Sequence, residues 1–431
     1  MSGNKYTFSV AVTLVVANMV GTGVFTSLGY QVGPVPSSFA ILMLWLMGGV
    51  VAFCGALCYA EIGTTLQKSG SEYVYLSNLY HPALGFLSGW TSLMVGFAGA
   101  VSAVSLAIGE YAHELFGLSV KQIAVGSILL VTIIHLFGVR AGGIAQNMLT
   151  GFKVSLIVFF CVTPFFLESG VSLNGFIPQE RDFDIMLSPG WAISLVFVVY
   201  AYSGWNASTY IAGNLENPAK NLPRSLMIGT IIVTLIYLML NGMFLSVASF
   251  QELDGQNDIG NVAALKIFGP HIGKIFSGIF SVALLSTLSA MTIAGPRVGE
   301  AMGQDYPALG ILSAKNRFEM PYLAILIQSV WAITLVFLGS FSEIIQYISV
   351  SLSWFTVFTV IGIFILRYRM RGQPRLFKVP GFPVPPIIFI AATLWMVTYV
   401  TINNPAIIIY SVGTVFIGLI LFFLSSRRRA V

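Results

Sequence analysis

The chain has 431 residues, of which 56% are hydrophobic and only 9% are charged, and its formal net charge is +5. So apolar a composition excludes a water-soluble globular protein and is typical of a chain that crosses a membrane many times. The small basic excess favours contact with anionic lipid. It argues against nucleic-acid binding, because the basic residues lie in loops and form no long basic domain.

Apolar windows of about 20 residues predict an all-α polytopic membrane protein with twelve transmembrane helices, short loops and no soluble domain. The first window is long and has no small-residue cleavage pattern, so we expect it to be helix 1 rather than a signal peptide. Helices 1 to 6 are predicted at Thr7–Gln31, Ser38–Leu66, Ala83–Glu110, Gln122–Gly138, Gln146–Leu167 and Pro189–Asn214. Helices 7 to 12 are predicted at Ser225–Phe250, Ile272–Gly295, Tyr322–Gly339, Ile344–Leu366, Val384–Ile402 and Pro405–Leu424.

The basic residues orient these helices. If both termini are cytoplasmic, sixteen of the 21 basic residues lie on the inside, with Arg140 among them. Four lie outside and one lies within the membrane; these are Lys121, Arg181, Lys266 and Lys274 outside, and Lys153 within. Cytoplasmic loops of membrane proteins carry an excess of lysine and arginine, so the bias supports both this orientation and the count of twelve.

Helix 1 carries the run Gly21-Thr22-Gly23-Val24-Phe25 near the expected centre of the bilayer. Each glycine costs about 1 kcal/mol of helix propensity relative to alanine. Irregular backbone at membrane depth occurs where it is buried in protein or lines a cavity. An opened helix offers N–H groups to a carboxylate and carbonyl groups to an ammonium. The alternative interpretation is that the glycines permit close helix packing.

Helix 6 contains a second candidate break, Tyr200-Ala-Tyr-Ser-Gly-Trp-Asn206. Its aromatic residues lie in mid-span rather than at the interface, where aromatic belts are found. Paired breaks in two halves of a membrane chain indicate the substrate site of a transporter. We therefore predict two inverted five-helix repeats, helices 1–5 in residues 1–170 and helices 6–10 in residues 185–370, with helices 1 and 6 unwound. Helices 11 and 12 and a basic tail occupy residues 380–431.

Lys153 lies early in helix 5, about 10 Å along the helix from Gln146, which together with Asn147 marks the cytoplasmic interface. An ionisable group inside a spanning segment is costly and is a functional candidate by default. The alternative is a lysine whose ammonium reaches back to the interface. Within the membrane, the ammonium would bridge carbonyls of the broken helix and hydroxyls of helix 8 such as Ser286 or Ser289. It would then take the mechanical role of a bound sodium ion.

Other polar residues in the spans have structural explanations of their own. Tyr237 and Asn241 lie at i,i+4 in helix 7, and Tyr237 is either packed with a locally satisfied hydroxyl or part of the gating apparatus. Helix 8 carries five hydroxyl residues, Ser281, Ser286, Thr287, Ser289 and Thr292. Because such residues are common packing residues in membrane helices, only one or two of them are expected at the site. His135 is interpreted as structural, and Glu61 as a gate or interface hydrogen bond.

The three cysteines, Cys54, Cys58 and Cys161, all fall in apolar runs and are interpreted as packing residues rather than as a disulfide framework. Cys54 and Cys58 lie at i,i+4, but no further metal ligands are near them in the sequence. His135 is the only mid-span histidine, and no nucleophile or base converges with it. We therefore predict no catalytic residue, no metal site and no cofactor.

At this point the residues resemble the amino acid–polyamine–organocation superfamily and, within it, the L-amino acid transporter family. The run in helix 1 is similar to that family's Gly-Ser-Gly-Ile-Phe motif, with Thr22 in place of serine and Val24 in place of isoleucine. The segment from Tyr59 to Gly70 resembles the family's signature at the end of helix 2. Residues 146–153 resemble the family's fifth helix, and residues 202–206 and 216–224 resemble its sixth helix and the loop after it. The resemblance covers residues from about 7 to about 370.

The resemblance implies the leucine-transporter fold and the exchange or uptake of amino acids. By position, the substrate carboxylate would meet the opened backbone of Gly21, at the N–H groups of Thr22 and Gly23. The ammonium would meet carbonyls near Met19, Tyr200 and Ser203, and Tyr200 occupies the family's aromatic gate position. Lys153 matches the lysine that replaces a sodium site in sodium-independent members.

One departure concerns partners. Heteromeric animal members of the family carry a cysteine in the loop between helices 3 and 4, and this cysteine links a glycoprotein subunit. The corresponding loop here, from Leu115 to Lys121, has none. We therefore expect no disulfide-linked heavy chain, and a free-standing prokaryotic protein in the inner (plasma) membrane.

These observations predict a sodium-independent transporter of small or medium neutral L-amino acids that works by alternating access, most simply as an exchanger. The lack of an acidic residue near the breaks argues against cationic substrates. A proton-coupled symporter, with Lys153 releasing its proton, is the alternative mechanism. A channel would need a continuous polar stripe and an enzyme a convergent catalytic set, and the sequence favours neither.

Overall fold

The computed structural model describes residues 5–137, 143–163 and 174–429. Regular structure in these residues is helical, and one isolated parallel bridge joins Tyr6 to Leu215. The predicted helix ends at Gly138 and Leu167, together with Arg140, lie outside the described residues. The side chains of Gln146 and Asn147 also lie outside the described part. The same is true of the last two residues of the basic tail and of the C-terminal end of the predicted first repeat.

The described residues of the first half of the chain form eight α-helices. They are α1 (Phe8–Met19), α2 (Gly23–Thr26), α3 (Ser38–Leu66), α4 (Ser71–Leu79), α5 (Pro82–Thr91), α6 (Ala98–Phe116), α7 (Val120–Leu136) and α8 (Gly143–Val162). A π-helical turn over Ser92–Phe97 joins α5 to α6 in one span. Such turns are rare and are found mostly inside longer helices, frequently at functional sites.

The described residues of the second half form nine α-helices. They are α9 (Glu180–Met186), α10 (Pro189–Tyr202), α11 (Pro218–Val247), α12 (Phe250–Leu253), α13 (Ile259–Asp305), α14 (Tyr322–Leu338), α15 (Phe341–Arg369), α16 (Val384–Asn403) and α17 (Pro405–Arg429). Within α13, Gly269 adopts a φ of 78° and precedes Pro270, which has no N–H to donate, so the helix is interrupted there. The span predicted from Ile272 begins just after this interruption.

Eight helical spans in the described part are long and apolar enough to cross a membrane. A ninth is obtained if α9 is joined to the Pro189–Asn214 segment, across a bend of 67°. Three shorter apolar helices, Val120–Leu136, Gly151–Val162 and Tyr322–Leu338, lie where helices 4, 5 and 9 are predicted. The chain is therefore a multi-pass helical membrane protein, and the exact count of twelve spans remains a prediction.

Extensive packing of α3 against α11, α6 against α13 and α1 against α11 encloses the broken helices. At the contact of α1 with α11, a Cβ on Gly229 would lie 2.6 Å from Val15, so only glycine allows the observed approach. Thr22 and Tyr202 are 2% and 1% exposed. The first break therefore lies in the interior of the bundle, and the second begins there, whereas Ser203, which follows Tyr202, is exposed. All three cysteines are buried and free.

Glu61, near the C-terminal end of α3, is fully buried and ties α3 to α15. Arg367 donates to both of its carboxylate oxygens, at 2.9 and 2.6 Å, and the backbone N–H of Val379 donates to one of them at 2.7 Å. Bidentate pairs of this kind fix geometry as well as charge. The prediction that Glu61 forms a hydrogen bond is confirmed, and its place at a gate or at the membrane interface stays a prediction.

Candidate functional site

The first break interrupts helix 1 where the glycines predict it. Helix α1 ends at Met19, Val20 is extended with a ψ of 91°, and helical structure resumes at Gly23. The two glycines flank Thr22 and lower the cost of leaving the helix. The prediction that helix 1 is unwound near Gly21 is confirmed.

The second break follows Tyr202, the last residue of α10. Ser203 is extended, with φ −55° and ψ 141°, and Gly204 has a φ of 97°, which strongly favours glycine. The chain then continues as a 3-10 helix over Ala207–Asn214. The predicted break in helix 6 is therefore also present.

The two breaks pack directly against each other through their glycines. A Cβ on Gly23 would lie 2.6 Å from Cα of Ala201, and a Cβ on Gly204 would lie 2.9 Å from Cβ of Asn18. Neither site has room for a side chain. By contrast, a Cβ on Gly21 would meet its nearest atom, Cγ2 of Thr287, at 3.7 Å. Gly23 therefore has a packing role, whereas the space beside Gly21 is open enough for a methyl group.

Tyr237 of α11 connects the two breaks. Its buried hydroxyl lies 2.5 Å from the carbonyl oxygen of Met19 and 2.9 Å from that of Ala201. Both carbonyls belong to residues close to a break, and they share the single hydrogen of this hydroxyl. Tyr237, predicted as a gating residue, thus has its hydroxyl satisfied by backbone from α1 and α10.

A second link between the breaks joins side chains. The hydroxyl of Tyr200 lies 3.2 Å from Oγ1 of Thr22, and both residues are buried. The carbonyl oxygen of Thr22 accepts from Oγ1 of Thr26 at 3.0 Å. Tyr200 therefore covers the unwound part of helix 1.

Lys153 of α8 is 5% exposed, and its ammonium donates to Oγ1 of Thr287 at 2.9 Å. The predicted bond to a hydroxyl of helix 8 is present, but the acceptor is Thr287 and not Ser286 or Ser289, the two examples named from the sequence. Residues of an α-helix are about 100° apart, so these two serines face other directions than Thr287. Ser289 pairs with Nε2 of His135 at 2.9 Å. The Ser286 hydroxyl, although buried, has no hydrogen-bond partner among the described residues.

A cavity of about 200 Å³ lies beside the second break. Tyr200 and Ser203 line it, but the other predicted substrate-binding residues, Met19, Gly21, Thr22 and Gly23, do not. The contacts of Ala201, Tyr200 and Tyr237 cover the first break on this side. Further lining comes from the end of α1, the second break, the π-helical turn, α3 and α15, and includes Asn18, Gly48, Val51, Ser92, Gly96, Phe97, Gly204, Trp205, Asn206, Ser349, Leu352 and Ser353.

The cavity extends toward the end of the bundle at which α1 begins, since it reaches Tyr210 in the segment that leads to the Tyr6–Leu215 bridge. At the opposite end, the ring of Tyr30 stacks on Phe197 at 4.9 Å and on Phe341 at 6.0 Å. The hydroxyl of Tyr30 donates to Oδ1 of Asn257 at 2.5 Å. Aromatic packing thus fills the opposite end.

Glu72 also lines the cavity and was missed by the sequence reasoning. It lies in the first turn of α4, is 7% exposed, and accepts from Nδ2 of Asn206 in the second break at 2.6 Å. The premise that no acidic residue lies near the breaks is therefore wrong. Burial, and secondarily the Glu72 carboxylate, raise the pKa of nearby Tyr75, which stays neutral. The usable signal was an acidic residue two positions after Gly70, at the start of a short helix.

Comparison with known proteins places these features in a family context. The profile of the amino acid permease family matches residues 6–425. The serine/threonine exchanger SteT of Bacillus subtilis (strain 168) is 30% identical, over 97% of this chain and 96% of that protein. The b(0,+)-type amino acid transporter 1 of Mus musculus is 28% identical over 96% of this chain and 86% of that protein. The cystine/glutamate transporter of Homo sapiens is 26% identical over 93% of this chain and 81% of that protein.

Proposed function

The chain belongs to the amino acid permease family, a family of transporters rather than enzymes, and on this premise we propose that it is a sodium-independent exchanger of small or medium neutral L-amino acids. Amino acid transport across the plasma membrane is the general activity of such a multi-pass protein. The neutral substrate class, the exchange mode and the independence from sodium are the specific parts of the proposal. SteT, by its name, exchanges serine and threonine, which makes these two amino acids the first substrates to test.

The observation that carries the proposal is the contact between two unwound helices with a cavity beside them. Opened backbone at membrane depth supplies neutral N–H and carbonyl groups, which suit the carboxylate and ammonium of a zwitterion. The carboxylate would bind at Gly21, Thr22 and Gly23, and the ammonium near Met19, Tyr200 and Ser203. Of these residues, Tyr200 and Ser203 already line the cavity.

We propose alternating access for the transport cycle. In this proposal the chain has twelve transmembrane helices, with inverted repeats in residues 1–170 and 185–370. Two further helices and a basic tail lie in residues 380–431. The two breaks fall in the first helix of each proposed repeat. With both termini in the cytoplasm, the cavity faces inward, and the packing of Tyr30 against Phe197 and Phe341 closes the outward path. Substrate entering from outside requires these aromatic contacts to separate.

Lys153 supports sodium independence. Its ammonium is hydrogen-bonded to Thr287 and lies between α8 and α13. In the proposal, this positive charge takes the role that a bound sodium ion would have in linking mobile and fixed helices. A proton-coupled symporter uses the same residue in a different way, by releasing the proton when the site changes sides. The single described hydrogen bond of the ammonium is compatible with both cycles.

Transport assays in proteoliposomes separate these mechanisms. An exchanger takes up labelled serine only when the vesicles contain unlabelled amino acid, whatever the bulk cation. A symporter accumulates serine in empty vesicles when an inward proton gradient is imposed. Serine uptake that needs neither internal substrate nor a proton gradient would contradict both mechanisms. Serine amide and serine methyl ester should compete poorly, because each lacks the carboxylate that the opened backbone is proposed to bind.

No disulfide-linked heavy chain is part of the proposal. The three cysteines of the chain are Cys54, Cys58 and Cys161, and all three are buried. None is placed to bond a subunit outside the membrane. Uptake by the purified chain alone in proteoliposomes tests this point directly.

A further inference from the structure

Glu72 differs from the other buried glutamates at the same end of the bundle. Glu61 contacts Arg367 at 2.6 Å and Arg375 at 3.6 Å, and Glu300 contacts Arg297 and Lys315 at 2.9 and 3.0 Å. Among the described residues, no basic side chain forms an ion pair with Glu72. A buried carboxylate normally needs a compensating charge or metal. Glu72 therefore lacks the cationic partner that its neighbours have.

Glu72 accepts its hydrogen bonds from neutral groups, and one carboxylate oxygen accepts more of them than the other. Oε1 accepts from the hydroxyl of Tyr59 at 2.8 Å and from Nδ2 of Asn206 at 2.6 Å. Oε2 accepts from the hydroxyl of Tyr210, at the longer distance of 3.3 Å. A carboxylate oxygen can accept more than one hydrogen bond. Oε2 thus has capacity for a further donor, and Glu72, Asn206 and Tyr210 all line the cavity.

Building on the proposed function, we infer that Glu72 forms a subsite for the cationic end of a basic amino acid whose backbone binds at the second break. The recognised group is an alkylammonium or a guanidinium, and Oε2 is its acceptor. Tyr200 and Ser203, which are proposed to contact the ammonium group of the substrate, line the same cavity. A charge-assisted hydrogen bond in this largely apolar space is stronger than a neutral one. Basic amino acids are therefore substrates in addition to neutral ones.

The test compares arginine with citrulline, its uncharged near-isostere, as competitors of labelled serine exchange in proteoliposomes. For the wild type, arginine should inhibit at a concentration about tenfold lower than citrulline, as expected for one hydrogen bond between charged groups. The preference for arginine should disappear in Glu72→Gln and be reduced in Glu72→Asp. Glu319→Gln, which removes an exposed carboxylate at the same end, is the matched control and should keep the wild-type ratio.

Each outcome decides the question. Equal inhibition by arginine and citrulline in the wild type overturns the inference, whether or not the Glu72 variants fold. An unchanged ratio in a monodisperse Glu72→Gln protein also overturns it, because the preference would then come from another group. Equal weakening of both competitors in Glu72→Gln also leaves the ratio unchanged and overturns the inference, because Glu72 would then act only by positioning Asn206. A wild type that exchanges no amino acid at all contradicts the proposed function instead.

Discussion

The hydroxyl of Tyr237 donates to the carbonyl oxygen of Met19 across 2.5 Å and lies 2.9 Å from the carbonyl oxygen of Ala201. One side chain of α11 therefore connects the last helical residue before the first break with a residue just before the second. A change in the relative position of the two breaks must lengthen at least one of these contacts. Tyr237 is placed to couple the breaks during transport.

We expect Tyr237→Phe to slow exchange more than it weakens substrate binding. The phenyl ring keeps the packing but leaves two buried carbonyl groups without their donor, at about 1–3 kcal/mol for each unsatisfied group. Initial exchange rates and half-saturation constants in proteoliposomes measure the two effects separately. Tyr80→Phe is the control, because it also removes a hydroxyl bound to a carbonyl, that of Phe358 at 2.7 Å, away from the breaks. Equal rates for the two variants would contradict a coupling role.

The glycines of the first break should respond differently to the same added methyl group. Gly23→Ala forces Cβ to 2.6 Å from Cα of Ala201, so we expect a marked loss of thermal stability and of transport. Gly21→Ala meets its nearest atom at 3.7 Å and should fold like the wild type. The melting temperatures of the detergent-purified proteins test this. If Gly21→Ala were the less stable of the two, the packing assignment would fail.

This pair also changes how carboxylate binding at the break is tested. Gly23→Val would disrupt the contact with Ala201 whether or not substrate binds there, so a loss of binding in that variant would not identify the carboxylate site. Gly21→Ala keeps that contact. A weaker affinity for serine in a stable Gly21→Ala protein would support binding of the carboxylate beside Gly21, and unchanged affinity would count against it.

Tyr200→Ala should weaken the apparent affinity and allow some uptake without internal substrate. The ring of Tyr200 covers the unwound part of helix 1 and lines the cavity, so its removal admits water to both. Tyr200→Phe is the matched variant, because it loses only the contact with Oγ1 of Thr22 and should stay close to the wild type. Uptake into empty vesicles provides the readout. Strict coupling and normal affinity in Tyr200→Ala would exclude a gating role.

The sequence was sufficient to locate the breaks and insufficient to pair the side chains around them. Gly21, Gly23 and Gly204 were identifiable because glycine in a mid-membrane helix carries a local cost that some structural purpose must offset. The partner of Lys153 depends on the rotation of α13 about its axis. This helix, predicted as helix 8, carries several hydroxyl residues within one turn of Thr287. A choice among them needs tertiary packing, which no local pattern encodes.

Glu72 illustrates a second limit. In the chain it lies outside the predicted spans and more than 130 positions from Asn206, so proximity along the sequence suggested no link. The short helix α4 folds back under the bundle and carries the carboxylate to the second break. Hydropathy assigns the segments between spans to loops. It therefore does not predict that a polar residue in such a segment, like Glu72, contacts the site.

The most discriminating prediction concerns Lys153. Its ammonium donates to Oγ1 of Thr287, and Cγ2 of the same threonine is the nearest atom to a Cβ built on Gly21. A permanent charge here would link α8, α13 and the first break without any diffusible ion. Exchange should therefore run equally well with sodium, potassium or choline as the bulk cation. A wild type that requires sodium would refute this role.

Lys153→Ala should damage turnover more than binding. It removes the only described donor to Thr287 from α8 and leaves a buried hydroxyl without that partner, at about 1–3 kcal/mol, while the opened backbone at Thr22 and Gly23 is untouched. We expect slower exchange with a smaller change in half-saturation, and different apparent affinities on the two sides of the membrane. Thr287→Val is the matched control, because it keeps the ammonium and removes its acceptor. If the hydrogen bond carries the coupling, both variants slow exchange; a Lys153→Ala protein with wild-type rates would make Lys153 an interfacial lysine.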